Sequence, residues 1–157
     1  MIVSEFLTKL RDRISDSRGV NWKRDELVQY LNDSISFLGS ELITMNDPGS
    51  INTVTITSTS KTVPSDYVRM AGKYPLYQSG LNFEILDGST SVTLRYFATK
   101  QSVNSDSDTI PFNDIDINIL IQLAAIYALN RDEYDTAQDE RLVAELKQVV
   151  AAAKGGK

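Results

Sequence analysis

Neither cysteine nor histidine occurs anywhere in the chain. Without cysteine there is no disulfide, no zinc–thiolate site and no thiol nucleophile. Without histidine, the commonest general base and the commonest transition-metal ligand are missing together. Positive charge is short as well: 16 Lys and Arg stand against 21 Asp and Glu, a formal net charge of -5. Counterion release then gives little grip on nucleic acid, and only weak, non-specific contact with DNA is expected. Glycine is scarce, with 8 residues, and none belongs to a Gly-Lys-Ser phosphate loop. Long apolar runs are also lacking. The longest, Ile115 to Leu129, is shorter than the ~20 residues a spanning helix needs, and Asp116, Asn118 and Gln122 interrupt it. The opening Met1-Ile2-Val3-Ser4-Glu5 carries an acid where a signal peptide has positive charge. The expectation is a protein made in a cytoplasm, outside any membrane, that is no enzyme and holds no cofactor and no metal.

What is present is a core. Hydrophobic residues make up 41% of 157, enough for one domain spanning residues 1–157 without covalent staples. Val3, Phe6, Leu7, Leu10 and Ile14 recur at helical spacing and predict a first helix over about residues 2–17, stopped near Gly19. Leu27, Leu31, Ile35, Leu38 and Leu42 predict a second over about 22–45, with Asn21 as its N-cap and Asn46-Asp47-Pro48-Gly49 as its stop. The period then changes. Alternating Thr-rich and aromatic runs predict a small antiparallel β module over about 51–112, with a short strand at Lys61-Thr62-Val63-Pro64 and turns at Ser79-Gly80 and Asp87-Gly88. A helix apolar nearly all round follows over about 115–130, capped by Asn113 or Asp114, and a last helix over about 135–153. The fold class is therefore α+β: a predominantly helical bundle of about four helices with the β module inserted between helices 2 and 3.

Three polar groups invite functional readings. Asn104-Ser105-Asp106-Ser107-Asp108 imitates the start of a calcium loop, but Thr109 stands where glycine is needed and Ile115 where the bidentate glutamate is needed. A solvated acidic loop explains it better. Asp132, Glu133, Asp135, Asp139 and Glu140 cluster at the start of the last helix, where surface carboxylates complement the helix dipole. Lys9, Arg11, Arg13, Arg18, Lys23 and Arg24 make the N-terminal region basic, yet Asp12, Asp16, Asp25 and Glu26 are interleaved and cancel most of it.

Trp22-Lys23-Arg24-Asp25-Glu26-Leu27-Val28-Gln29-Tyr30-Leu31-Asn32-Asp33 resembles the opening of phage head-to-tail adaptor proteins: a tryptophan, then Glu-Leu, then an aromatic-Leu-Asn-acid group. Val63-Pro64-Ser65-Asp66-Tyr67-Val68-Arg69 is similar to the aliphatic-Pro-x-Asp-aromatic element that follows the first hairpin of that family, with valine here in place of leucine. Arg95-Tyr96-Phe97-Ala98 and then Ile110-Pro111-Phe112 before an aliphatic helix continue the order. The resemblance covers Trp22 to about Tyr134, and the C-terminal region matches no motif of the family.

The resemblance implies a structural virion protein at the head-to-tail junction, assembled in the host cytoplasm. It implies a homo-oligomer, a dodecameric ring below the portal protein, with bundled helices and a β module reaching toward the tail. Such a ring extends the DNA channel, touches translocating DNA only transiently, and offers a platform to neck and tail proteins. Free protein is expected to be largely monomeric and to form the ring on its portal. Two other classes stay open: another neck component (a stopper or tail-completion protein), and a non-virion DNA-binding or regulatory module.

Interfaces are sought in two places. Leu146, Lys147, Val149, Val150, Ala153, Lys154 and Lys157 carry an apolar stripe and positive charge to the chain end. This end either docks on a portal or neighbouring subunit, or packs on its own core, and the terminal Gly-Gly-Lys is expected to be held by a partner. Tyr74, Tyr77 and Phe83, in the β module, are the candidates for a tail-side or neighbour-facing surface, since aromatic residues are enriched at interfaces.

Overall fold

The computed structural model describes residues 1–131 and 136–154. Among the described residues the chain is mixed α+β, with four α-helices and the strand module between the second and third. It divides into two compact units: Met1–Glu41 with Gln101–Lys157, and Leu42–Lys100.

In the first unit, α1 (Val3–Arg13) buries Val3, Phe6, Leu7 and Leu10. It ends ahead of Gly19: Ser15, at φ 58, takes the left-handed backbone that stops it, and the Asp16 N–H closes onto the Arg11 carbonyl at 2.8 Å. Asp16 then organises the connection. Only 3% exposed, its carboxylate accepts the backbone N–H groups of Val20 (2.9 Å), Asn21 (3.0 Å) and Trp22 (3.3 Å), and pairs with Arg11 at 2.8 Å. Asn21 is thus a follower of Asp16 and not an N-cap. The second helix, α2 (Arg24–Thr44), starts later, with the Lys23 carbonyl accepting from Leu27 at 3.2 Å and Glu26 reaching back to the Lys23 N–H at 2.8 Å.

These donors, the Asn21 N–H first, hold the Asp16 carboxyl below its usual 3.8. A depressed carboxylate contributes stability that is complete above its unfolded pKa and is lost as pH falls through the folded one. The acid limb of a urea-unfolding profile should therefore steepen below pH 3.8. Asp16→Asn should lower stability at neutral pH and flatten that limb.

Residues 101–112 belong to the helical unit and not to the β module. Asn32 and Val103 exchange two hydrogen bonds of 2.8 Å, Arg24 holds Asp106 and the Asn104 carbonyl, and the Val3 N–H reaches the Asp108 carbonyl at 3.0 Å. α3 (Asp114–Leu129) is capped by Asn113, which accepts from the Asp116 N–H at 2.9 Å. It is buried on several sides through Ile117, Ile119, Leu120, Ile121, Leu123 and Ala124, while Ile115 and Leu129 at its ends are exposed. α4 (Thr136–Lys154) buries Leu146 and Val150.

In the second unit, β1 (Ile51–Thr57), β5 (Ser91–Ala98) and β2 (Tyr67–Met70) form an antiparallel sheet in the order β1-β5-β2. β1 runs against β5 without a break, from Ile51 opposite Phe97 to Thr57 opposite Ser91. β3 (Leu76–Ser79) and β4 (Asn82–Ile85) form a separate hairpin, turned at Gly80 with φ 59. The expected strand at Lys61–Pro64 is reduced to one bridge, Thr62 to Asn82, with flanking bonds from Val63 to Leu81 and from Phe83 to Lys61. Pro64 has no N–H with which to extend it. Asp87-Gly88 does turn the chain, but it links strands of different sheets instead of closing a hairpin. Ile56, Leu76, Phe83, Val92, Leu94 and Tyr96 make the core of this unit.

β2 carries a bulge between Tyr67 and Arg69. Arg69 lies over the Phe97 ring at 4.1 Å and donates to the Ile43 carbonyl (2.9 Å) and to Asn46 Oδ1 (2.6 Å). α2 has no basic residue in its own last turn, so a strand residue supplies the cation its C-terminus favours.

Candidate interaction surfaces

The C-terminal stripe divides between core and surface. Leu146 and Val150 are fully buried inside the helical unit and serve its core, which corrects their assignment to an intermolecular face. Lys154 Nζ lies 2.7 Å from Asp116 Oδ1, tying the last turn of α4 to the first turn of α3. Val149 is half-buried and lines an open groove of about 770 Å³ together with Arg13, Ala125, Ile126, Leu129 and Glu145. Ala153 lines a smaller adjoining one, and Lys147 is exposed. Lys157, with the Gly-Gly-Lys end, lies outside the described residues. Of that stripe, Lys147, Val149 and Ala153 reach the surface.

The aromatic trio divides in the same way. Phe83 is 0% exposed and meets the Tyr67 ring edge-on at 5.3 Å, so it is core and not a tail-side contact. Tyr74 is half-buried, and its hydroxyl accepts the Arg95 N–H at 3.2 Å. Tyr77, 59% exposed, does face outward. Sequence reading missed its apolar companions, Leu81 at 81% and Leu86 at 65% exposed. A signal for Leu81 existed: the residue after a turn glycine sits at a hairpin tip, where no core can reach it.

No match to this chain is found among protein-family models or curated proteins.

Within the strand unit, the Val63–Arg69 and Arg95–Ala98 stretches meet. Asp66 accepts the Tyr96 hydroxyl at 2.9 Å and the Asn52 side-chain amide at 2.9 Å, while β2–β5 pairing sets Tyr67 opposite Ala98. In the helical unit, Trp22 Nε1 donates to the Ala128 carbonyl at 3.2 Å, and Arg131 lies over the indole at 4.8 Å. The acidic loop is spent internally. Asp108 accepts the N–H groups of Asn104 and Ser105 at 2.8 and 2.9 Å, which lowers its pKa, and Asp106 pairs with Arg24 at 2.6 Å. Among the described residues no acidic side chains converge in a group able to hold a metal ion, and no helix is long and apolar enough to cross a membrane. In the acidic cluster, Asp132, Glu133, Asp135 and the Asp139 side chain lie outside the described residues, and Glu140 is exposed.

Burial, and then the hydrogen bond to Asp66, push the Tyr96 phenol above its usual 10.0; burial does the same for Tyr127. Stability from such a group is intact below the unfolded pKa and lost as pH rises through the folded one. Tyr96 and Tyr127 should titrate late in phenolate absorbance, accompanied by alkaline loss of stability. Asp66→Asn should bring one of them earlier.

Proposed function

We propose that the chain is a structural virion protein, a head-to-tail adaptor of a tailed phage, whose ring binds the portal, extends the DNA channel and carries the neck or tail proteins. What supports this reading is the meeting of the family-like strings. Val63–Arg69 and Arg95–Ala98, far apart in sequence, are joined by β2–β5 pairing and by the Asp66–Tyr96 bond. Trp22 likewise ties the start of α2 to the end of the helix that follows Ile110-Pro111-Phe112. The net charge of -5 suits a channel through which DNA slides.

The test is to add purified protein to DNA-filled heads that lack neck proteins and to image the portal vertex. A new ring directly below the portal supports the proposal. Attachment only when another neck protein is already present would indicate a stopper or tail-completion protein. Sequence-specific DNA binding without attachment would indicate a regulator.

A further inference from the structure

Strands put alternate side chains on opposite faces, and the two faces of the β1–β5 pair differ in kind. One holds Ile56, Val92, Leu94 and Tyr96, the core of the strand unit. The register sets out the other in rows: Thr53 opposite Arg95, Thr55 opposite Thr93, and Thr57 opposite Ser91. Thr53, Thr55, Ser91, Thr93 and Arg95 are all exposed. In the next row, Ile51 lies opposite Phe97. There Arg69 covers the ring and reaches the end of α2, so the open part of the face stops at Arg95.

The open rows carry hydroxyls and a guanidinium, and no carboxylate. Arg11, Arg24 and Arg131 each pair with an acid, whereas among the described residues Arg95 pairs with none. The acids of the same unit are placed elsewhere. Asp66 bonds to Tyr96 and Asn52, which belong to the other face. Glu84 stands opposite Tyr77 in the hairpin, Asp87 turns onto the Ser89 N–H, and Asp47 accepts from the Gly49 N–H ahead of β1. Charge is divided between the units as well. Residues 42–100 hold 5 Lys and Arg against 4 Asp and Glu, while the rest of the chain holds 11 against 17.

We propose that this outer β1–β5 face, centred on Arg95, lies against the phosphate backbone of duplex DNA. The proposal deepens the adaptor reading and rests on its premise of a DNA channel. The chemistry of the face selects the occupant. Phosphate oxygens accept hydrogen bonds from arginine, serine and threonine, whatever the base sequence. A protein partner needs an apolar anchor, because interface cores are rich in aromatic residues and methionine, and the open rows offer none. One unpaired cation per copy holds a polyanion weakly and gives way to salt, which suits DNA that has to move. A ring presents the same contact once per copy, so the hold is spread around the duplex.

The chain has no cysteine, so an introduced thiol is the only one present. Thr93→Cys and, as a control on α4, Lys147→Cys are labelled with benzophenone maleimide, assembled on DNA-filled heads and irradiated. The expected result is covalent protein–DNA adduct from Thr93→Cys and little from Lys147→Cys. A ring seen by electron microscopy without adduct, or with equal adduct from both positions, overturns the proposal and leaves the adaptor reading standing. So does a Thr93→Cys crosslink to portal or neck protein in place of DNA. Absence of any ring overturns both. The second arm adds Arg95→Glu to Thr93→Cys. With the ring still visible, the adduct should be lost, because the substitution puts a carboxylate where the phosphate would sit. Undiminished adduct would overturn the role of Arg95. Loss of the ring in this variant would mean that the face is a protein contact, and would overturn the proposal too.

Discussion

Phe83→Ala lowers the stability of the strand unit by about 3–5 kcal/mol, the range for deleting a fully buried aromatic ring. The ring is 0% exposed, and its neighbours Ile56, Leu76, Leu94 and Tyr96 are held by strand pairing, so they cannot collapse into the space. The edge-on contact with Tyr67 at 5.3 Å is lost as well. Urea unfolding followed by tyrosine fluorescence reads the change. Tyr77→Ala, on the outward side of the same hairpin, should change stability by no more than about 0.5 kcal/mol. Equal effects of the two substitutions would mean that the hairpin faces are assigned the wrong way round.

Lys154→Met costs about 3 kcal/mol, at the low end for breaking a buried ion pair because the lysine keeps some contact with water. Asp116, 3% exposed, is left with its charge and without the cation 2.7 Å away. Adding Asp116→Leu removes the stranded charge, so the double variant should recover most of the loss, which calorimetry of the single and double variants beside the wild type would show. Removing residues 147–157 would strip out Val150 and Lys154 together and unfold the helical unit, so it does not test docking. Substitutions at Lys147 and Ala153, both exposed, test portal attachment without that confusion.

The helices were legible because burial and spacing coincide. Leu27, Leu31, Ile35, Leu38 and Leu42 of α2 are all buried, as their period requires. The start of α2 was not legible. Asn21 has good capping chemistry, but Asp16, five residues earlier, collects its N–H, and local propensity does not say which carboxylate a loop will wrap around. The stripe of α4 was readable as a stripe, yet not how far the helix leans on its neighbour: Leu146 and Val150 are buried while Ala153 is exposed. In the hairpin, alternation separates Phe83 from Glu84 but not inside from outside. Burial settles that: Leu76 and Phe83, on one face, are buried, while Tyr77 and Glu84, opposite each other on the other face, are exposed. The exchange between Asn32 and Val103 joins stretches 71 residues apart, and no local pattern announces such a pair.

The bulge that aims Arg69 at the end of α2 also sets an order of events during synthesis. Ile43 and Asn46 leave the ribosome early, but the guanidinium that satisfies them is placed by β2, and β2 pairs only with β5, which ends at Ala98. The C-terminus of α2 therefore stays without its cation until that whole stretch has emerged. The strand unit is continuous in sequence and can then complete itself, since domains fold as units during translation. The helical unit, split between Met1–Glu41 and Gln101–Lys157, must wait longer for its second half. A nascent chain arrested once Ala98 has cleared the ribosome should accordingly protect the strands from protease while the N-terminal helices are still cut.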